Sequence, residues 1–156
     1  MGVRFVFLLL IGFILLTSCS SGRVARTARI ETVINTARSY TGTPYRYGGL
    51  SRSGMDCSGL LHISFQAAGL QIPRTSREQS KFGKKVGIDE LRPGDLVFFA
   101  AKKWKRKVSH AGLVTEVRGS RSVKFIHSST SLGVVESDLS TGHYRSIFVR
   151  ARRPKY

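Results

Sequence analysis

The chain has 156 residues, enough for one compact domain with a hydrophobic core and too few for two ordinary ones. It carries 26 Lys and Arg residues against 9 Asp and Glu, a formal net charge of +17, and a field of that size steers a protein toward polyanions. The sequence contains no internal repeat and no low-complexity tract.

The first sixteen residues have the layout of a secretory signal, in which a short basic start precedes a twelve-residue apolar run, Phe5 to Leu16. Because a helix needs roughly 20 apolar residues to cross ~30 Å of hydrocarbon, the run predicts export and not a retained transmembrane helix. The residues that follow, Thr17-Ser18-Cys19, resemble a bacterial lipobox, whose cysteine is acylated and becomes the first residue after cleavage. The alternative is an ordinary signal peptide with a chance cysteine.

We therefore expect residues 1–18 to be a lipoprotein signal peptide and Cys19 to be an anchor carrying palmitate-like acyl chains. Several chains suit stable attachment, because one chain alone binds a membrane only marginally. The residue after Cys19 is Ser20 and not an aspartate, so in a cell with two membranes we expect an outer-membrane lipoprotein facing the periplasm. Residues 19–28 are interpreted as a lipidated, flexible tether and residues 29–156 as the single domain.

The positive charge has to be matched to a partner that an exported protein meets. Nucleic acid is the usual partner of such a charge, but an exported lipoprotein rarely encounters it, so we expect no nucleic acid partner. Anionic lipid headgroups and the carboxylates of wall peptides are the expected ones. The alternative is that the basic surface serves only solubility and general adhesion.

In the first half of the domain, apolar residues recur at helical spacing from Arg29 to Tyr40 and predict an amphipathic helix that ends at residues 41–44. The segment from Tyr45 to Gly54 is rich in glycine and aromatic residues and is interpreted as a structured loop. Apolar residues from Leu60 to Ala68 then cover most of the circumference of a helix of about three turns, which predicts a largely buried helix. Gly69 is expected to end it.

The second half of the domain has the pattern of a sheet. A loop with a short helix is expected over residues 73–87, and a Pro-Gly-Asp turn at residues 93–95 leads into the first strand. Residues 118–121 are interpreted as a hairpin turn. The strand candidates are Leu96–Ala100, Val108–Val117, Ser122–His127 and Ile147–Ala151. Helices followed by strands predict an α+β fold, with N-terminal helices, among them the cysteine-bearing helix, packed on an antiparallel sheet of about five strands.

Between the first two strands lies a basic segment that holds five cations around one tryptophan. This pattern suits an interfacial contact with anionic lipid headgroups or glycan phosphate, and the alternative is a solvated hairpin tip. The segment consists of Lys102, Lys103, Trp104, Lys105, Arg106 and Lys107.

Cys57 lies where the glycine-rich loop meets the buried helix, and with Cys19 carrying lipid it has no disulfide partner. A thiol is a useful nucleophile only as a thiolate, which a helix N-terminus or an adjacent imidazolium stabilises. The position of Cys57 predicts the first of these, and the second needs a histidine from elsewhere. The alternative is a buried, inert cysteine that packs as a small apolar residue.

Four histidines are available for that role. His110 lies near the start of one predicted strand and His127 ends the next, so if the two strands pair through the turn at 118–121, both imidazoles lie at the same end of the sheet. A thiol and two imidazoles are the groups needed for a nucleophile, a base and an orienting residue. His62 and His143 are interpreted as ordinary packing or surface histidines.

The same three residues, Cys57, His110 and His127, are also zinc-ligand types. Their spacing matches no compact zinc signature, so zinc is kept only as a minor alternative. The thiol chemistry requires neither a metal ion nor an organic cofactor, and we expect none.

Motifs occur in order at Tyr45–Gly49, Asp56–Gly59, Pro73–Ser76, Pro93–Val97, His110–Val114 and His127, and together they resemble the NlpC family of papain-like wall peptidases. The resemblance covers about residues 30–151, nearly the whole chain after the signal. Several motifs in the same order are far more specific than Asp-Cys-Ser-Gly alone.

The resemblance implies a role for each matching residue. Cys57 is expected to be the nucleophile, His110 its base, and His127 the polar third member that orients His110. Tyr45 matches a tyrosine whose hydroxyl lies near the catalytic centre and helps to bind the oxyanion, together with the backbone N–H of Cys57.

Two flanking residues have a less specific expectation. Asp56 and Ser58 match positions that line the substrate groove of the family. For Asp56 the alternative is a helix cap, because aspartate is a preferred residue at that position.

The resemblance also implies a substrate and a reaction. We expect hydrolysis of peptidoglycan stem peptides through a thioester on Cys57, either after γ-linked D-glutamate or at the diaminopimelate cross-link, and the sequence does not choose between these bonds. An acyl or peptidyl transferase on the same scaffold and a catalytically inactive wall-binding lipoprotein are the alternatives. A monomer is expected.

Overall fold

The computed structural model describes residues 22–104, 106–119 and 122–156. The first described element, α1, is helical over residues 22–39. It buries Val33 and Ala37 against the rest of the domain. The amphipathic helix is thus confirmed, but it begins earlier than Arg29, because residues 22–28 continue the same helix where a flexible tether was predicted. Cys19 and the predicted signal peptide lie outside the described residues.

A short hairpin, β1 (Leu50–Ser51) and β2 (Gly54–Met55), leads directly into α2 (Cys57–Ala67). Asp56 is the N-cap of α2, and its side chain accepts a hydrogen bond from the backbone N–H of Gly59. Capping satisfies a donor that the first turn of a helix leaves unpaired, which fixes the start of α2 at Cys57. Seven of the eleven residues of α2 are buried, from Cys57 as far as Phe65, and Gln66 and Ala67 are exposed, so the prediction of a largely buried helix is confirmed.

The main sheet has six strands in the order β3-β8-β4-β5-β6-β7, and every neighbouring pair is antiparallel. The α+β fold class is therefore confirmed. The strands are β3 (Lys84–Val86), β4 (Leu96–Ala100), β5 (Val108–Arg118), β6 (Ser122–Ser129), β7 (Gly133–Asp138) and β8 (Phe148–Arg153). Three short helical elements complete the described chain: α3 (Ser76–Gln79), a 3-10 helix (Ile88–Glu90) and α4 (Gly142–Ile147).

The main sheet has six strands, where about five were expected. β3 and β7 were not predicted, because β3 is a short edge strand with two exposed lysines and β7 becomes only half-buried after Val134. Ile147 ends α4 instead of starting a strand, so the last strand begins at Phe148. No helix among the described residues is both long and apolar enough to cross a lipid bilayer.

The two faces of the sheet build two hydrophobic clusters. Phe98 points into the cluster that α1 and α2 cover, and Phe99 points into the cluster on the other face. This alternation follows from the period of two in a strand. Among the described residues, both clusters draw on the stretch from Ile30 to Tyr156.

The register of the sheet defines two ends of the molecule. Phe99 lies opposite His110 at one end of β4, whereas Leu96 lies opposite Arg152 at the other. We call the first the Cys57 end, because α2 begins there. We call the second the Gly94 end, where the hydroxyl of Tyr156 donates a hydrogen bond of 2.5 Å to the carbonyl of Gly94.

Candidate active site

Cys57 is the first residue of α2 and is 6% exposed. It is a free cysteine, and the backbone N–H of Ala111 on β5 is close enough to its sulfur to act on the pKa of the thiol. The sulfur therefore lies beside the strand segment that carries His110. The structure thus joins the start of the helix to the end of the sheet, as the sequence predicted.

Burial raises the pKa of the Cys57 thiol to about 11, although the backbone N–H groups of Ala111, Ser58 and Cys57 itself act to lower it. The negative charge of Asp56 also raises the pKa of the thiol. The start of a helix was expected to activate the thiol, and the donors are present, but they do not outweigh the loss of water. At neutral pH the free protein therefore carries a neutral thiol.

Asp56 is bound by donors from three parts of the chain. Its two carboxylate oxygens each accept a hydrogen bond of 2.9 Å from the two terminal nitrogens of Arg74, a bidentate pair. The backbone N–H of Gly48 donates to it over 2.8 Å and that of Gly59 over 2.6 Å. Burial acts to raise the pKa of Asp56, but the hydrogen bonds from Arg74, Gly59 and Ser58 outweigh it and hold the pKa below its usual value.

Ser58 is engaged in the same network. Its hydroxyl donates to Asp56 over 2.9 Å and accepts from Arg74 over 3.0 Å, so it holds the arginine beside the nucleophile. The side-chain nitrogen of Gln79 donates to the carbonyls of Ser58 and Pro73, over 3.0 and 2.8 Å. The loop that carries Arg74 is thereby fixed to the first turn of α2.

The two predicted imidazoles meet. Nε2 of His110 lies 2.9 Å from Nδ1 of His127, with the rings perpendicular and their centres 4.9 Å apart. In the tautomer in which Nε2 of His110 carries the proton, it donates to His127 and leaves Nδ1 of His110 free to accept one. The geometry suits an orienting residue behind a general base.

The far side of His127 is held as well. Its Nε2 lies 3.0 Å from the hydroxyl of Ser137 on β7 and 3.2 Å from the hydroxyl of Tyr144 on α4. With Nδ1 accepting from His110, Nε2 carries the proton and donates to these oxygens. In this tautomeric state the chain of hydrogen bonds runs from His110 through His127 to these two hydroxyl groups.

Aromatic rings form a floor beneath the two imidazoles. Phe125 stacks on His127 with ring centres 4.9 Å apart, and Phe99 lies 6.0 Å from His110. Tyr144 contacts both phenylalanines, with centre distances of 4.9 and 5.5 Å. We call Phe99, Phe125 and Tyr144 the aromatic floor.

This apolar surrounding sets the charge of the imidazoles. Burial lowers the pKa of His110 to about 4. Burial, and then the charge of His110, lower the pKa of His127 to about 3. Both rings are neutral at pH 7, which is the state in which His110 can accept a proton.

Tyr45 lies in the loop before β1 and forms a backbone bridge with Met55. Burial raises the pKa of its phenol, and the charges of Cys57, Asp56 and Tyr47 add to this effect. The phenol therefore responds to the charge of Cys57 and stays protonated at neutral pH, as a hydrogen-bond donor must.

Other residues singled out in the sequence lie elsewhere. Nδ1 of His62 is 3.1 Å from the carbonyl of Ile72, a packing contact, and His143 is exposed, so both interpretations of these histidines are confirmed. The basic segment forms the connection between β4 and β5 at the Cys57 end. In it Trp104 is 76% exposed and Nζ of Lys102 lies 5.8 Å from the centre of its ring. Lys105 lies outside the described residues.

Some residues of the site were not predicted. Arg74 belongs to a motif that the sequence analysis noted, but no role was given to it. Ser137 and Tyr144 carried no signal at all, because their contribution depends on β7 and α4 folding back onto His127. Over residues 22–104, 106–119 and 122–156, no three His, Cys, Asp or Glu side chains are grouped so that they could hold a metal ion.

Comparison with known proteins agrees with the fold and the site. The sequence profile of the NlpC/P60 family matches residues 42–153. The probable endopeptidase NlpC of Escherichia coli (strain K12) is 38% identical over 155 residues, which cover 94% of this chain and 97% of that protein. The murein DD-endopeptidase MepS/murein LD-carboxypeptidase of the same strain is 36% identical over 115 residues, 73% of this chain and 57% of that protein.

A solved structure supports the same relationship. The crystal structure of an NlpC/P60 family protein from Bacillus cereus ATCC 10987 has a TM-score of 0.71 and 35% sequence identity, and the match covers 80% of this chain and 39% of that one. The resemblance found in the ordered motifs is therefore confirmed by sequence and by structure. From residue 42 to residue 153, across both the helices and the sheet, this chain belongs to the NlpC/P60 family.

Proposed function

We propose that this chain is a peptidoglycan endopeptidase that hydrolyses stem-peptide or cross-link amide bonds through a thioester on Cys57. The assignment as a cell-wall endopeptidase rests on membership of the NlpC/P60 family and on the relatives named above, and it implies an exported protein of the cell envelope. The observation that carries the mechanism is the 2.9 Å contact between His110 and His127, next to the strand backbone that lies beside the sulfur of Cys57.

The reaction begins from neutral partners. Sγ of Cys57 attacks the peptide carbonyl carbon while its proton moves to Nδ1 of His110, which the pKa values of about 11 and about 4 leave free to accept it. The carbonyl oxygen becomes an oxyanion, and the backbone N–H of Cys57 and the phenol of Tyr45 donate hydrogen bonds to it. His127 holds the imidazolium in place.

The intermediate then collapses. The C–N bond breaks, His110 returns the proton to the leaving amine, and a thioester remains on Cys57. His110 next removes a proton from water, whose oxygen attacks the thioester, and the thiol leaves with that proton. Asp56, Ser58 and Arg74 form the polar wall beside the nucleophile, and we assign them to substrate binding.

The test is digestion of defined stem peptides and cross-linked dimers, followed by mass analysis of the products. Residues 20–156 should release amine and carboxylate fragments, and Cys57→Ala should do so at least ~1000-fold more slowly. Equal rates for the two proteins would remove the peptidase assignment. Cleavage of the dimers alone would assign the cross-link as the substrate.

The same assay separates hydrolysis from transfer. With an added amine acceptor, a hydrolase gives carboxylate products, because water reaches the thioester. Conjugates of the acceptor in place of carboxylates would assign a transferase to the same scaffold.

The proposal includes membrane attachment through acylated Cys19, which rests on the apolar run and the lipobox in the sequence. Cys19→Ala should carry no acyl chains, and mass spectrometry of the purified full chain should find diacylglycerol-bearing protein only in the wild type. An unmodified cysteine in the wild type would remove the anchor from the proposal.

A further inference from the structure

The Gly94 end carries five exposed cations, which we call the basic patch: Arg23, Arg26, Lys84, Arg92 and Lys155. They come from four separate stretches of the chain that the fold brings together. Arg26, Lys84 and Lys155 line one groove, and Arg23, Arg26 and Arg92 line the adjoining one. Arg26 lies between the two grooves and joins the five into one surface.

The charges of this patch are not neutralised within the domain. The nearby carboxylate, Asp95, is 1% exposed and is bound by Arg153 in a bidentate pair. In the part of the chain that the structure describes, none of the five patch residues forms an ion pair. The patch is therefore open to an external anion.

The position of the patch relates it to the start of the chain. Arg23 and Arg26 lie in the first described turns of α1, and Cys19 is only three residues before Gly22. Three residues span at most ~10 Å, so an anchor at Cys19 would hold the start of α1, which carries Arg23 and Arg26, near a lipid surface. Val24, in the same turn, is 67% exposed and offers an apolar contact with that surface.

The catalytic residues lie at the other end of the molecule. α2 runs from Cys57 toward Phe65, whose ring packs 5.6 Å from that of Tyr156. Cys57 and Phe65 are eight residues apart, or ~12 Å along the helix axis, and Tyr156 lines both grooves of the patch. Trp104 lies at the Cys57 end as well, in the connection that follows β4.

We propose that the basic patch docks on anionic lipid headgroups and turns the Cys57 end away from that surface, toward the wall. Each cation that reaches an anionic membrane surface strengthens binding about fivefold. From the proposed anchor the inference takes one point only, that the beginning of the chain faces the membrane. It does not depend on the peptidase activity. Its test uses protein without Cys19.

The first measurement is flotation of residues 20–156 with vesicles of 30% phosphatidylglycerol in phosphatidylcholine, at about 0.1 M salt. The patch variant is Arg23→Gln, Lys84→Gln and Lys155→Gln, and the matched control is Lys102→Gln, Lys103→Gln and Lys107→Gln, which removes the same charge from the other end. The patch variant should bind roughly 100-fold more weakly, and the control no more than a few-fold. Thermal unfolding should be the same for all three proteins, because all six side chains are exposed.

The second measurement uses the single tryptophan of the chain, Trp104, as a reporter of orientation. On the same vesicles made with brominated lipids, its fluorescence should be neither quenched nor blue-shifted. Quenching comparable to that of a free interfacial tryptophan would place the basic segment on the membrane and overturn the proposal.

Two other results would also overturn it. Equal weakening by both triple variants would mean that vesicles respond only to net charge. If the patch variant lost binding to purified wall sacculi and kept its binding to vesicles, the partner would be the wall and not lipid. Peptide hydrolysis by the patch variant should equal that of the wild type, so loss of docking is distinguishable from loss of catalysis.

Discussion

At each end of the molecule a buried aspartate forms a bidentate ion pair with one arginine from a distant part of the chain. At the Cys57 end Arg74 binds both oxygens of Asp56 over 2.9 Å, and at the Gly94 end Arg153 binds both oxygens of Asp95 over 2.7 Å. The two pairs look alike, but their surroundings differ. Without its arginine, Asp56 keeps three other donors, whereas the carboxylate of Asp95 keeps only the backbone N–H of Arg92.

The difference separates a functional pair from a structural one. Asp56 borders the thiol and caps the helix that carries it, so under the proposed function its arginine orders a surface that meets substrate. Asp95 ties the turn before β4 to the last strand, at the end of β4 opposite to Phe99 and His110. The same chemical motif would thus serve the proposed catalysis at one end and stability at the other.

The largest expected effect is on stability, from Arg153→Gln. This change leaves the carboxylate of Asp95 buried without a counter-charge and should reduce the free energy of unfolding by about 3 kcal/mol. The measurement is urea unfolding followed by circular dichroism. The rate of peptide cleavage per folded molecule should stay within a factor of two.

Arg150→Gln, on the same strand, is the matched control, because Arg150 forms no ion pair among the described residues. It should change the free energy of unfolding by less than about 0.5 kcal/mol. Equal losses from the two substitutions would contradict a specific role of the Asp95 pair.

At the Cys57 end the next effect is catalytic. His127→Ala removes the partner that holds the tautomer of His110 and should lower kcat by about 100-fold with little change in KM. His127→Gln should recover part of this loss, since an amide can still accept from His110. His143 is exposed, so His143→Ala should cleave at the wild-type rate. For His127→Ala, a rise in KM with kcat unchanged would argue against an orienting role.

The imidazoles also make stability depend on pH. The pKa values of His110 and His127 are lowered to about 4 and about 3, so below pH 6.5 the unfolded chain binds protons that the folded one does not. The contribution of the two imidazoles to the free energy of unfolding is therefore complete above pH 6.5 and decreases as the pH falls toward 4. At pH 5 the decrease reaches up to about 2 kcal/mol for each imidazole.

Urea unfolding at pH 7.0 and 5.0 checks this expectation. His127→Ala should show a smaller difference between the two pH values than the wild type, because one buried imidazole is gone. An unfolding midpoint that does not move with pH would mean that the imidazoles are protonated in the folded protein.

A smaller loss of stability than for Arg153→Gln is expected from Arg74→Gln. Asp56 keeps its three other donors, so the free energy of unfolding should fall by only about 1 kcal/mol, less than for Arg153→Gln. The rate of cleavage should fall about tenfold, because the first turn of α2 is less well positioned. A larger loss of stability than for Arg153→Gln would reverse the comparison between the two ends.

The sequence was sufficient for the parts of the site that local motifs encode. Cys57 was placed at a helix start by the loop that precedes it, and the pairing of His110 with His127 followed from the hairpin between their strands. Tyr144 and Ser137 could not be found in this way, because they reach His127 only through tertiary folding. The high pKa of the thiol was also missed, since burial is not visible in a single sequence.

The fold shows the same division. β4 was predicted correctly as a continuous apolar run, because it is buried on both faces. β3 and β7 lie at the two edges of the sheet, where strands need no apolar pattern and tertiary pairing decides their structure. The early start of α1 was missed for a related reason, since residues 22–28 expose nearly every side chain and form no apolar stripe.

The aromatic floor has a consequence for protein engineering. Phe99, Phe125 and Tyr144 come from β4, β6 and α4, and together they support the imidazoles from below. A designer who copied only the thiol and the two histidines onto another sheet would obtain rings free to rotate and open to water. A transplanted copy of the proposed site would therefore have to include the aromatic floor as well as the thiol and the two imidazoles.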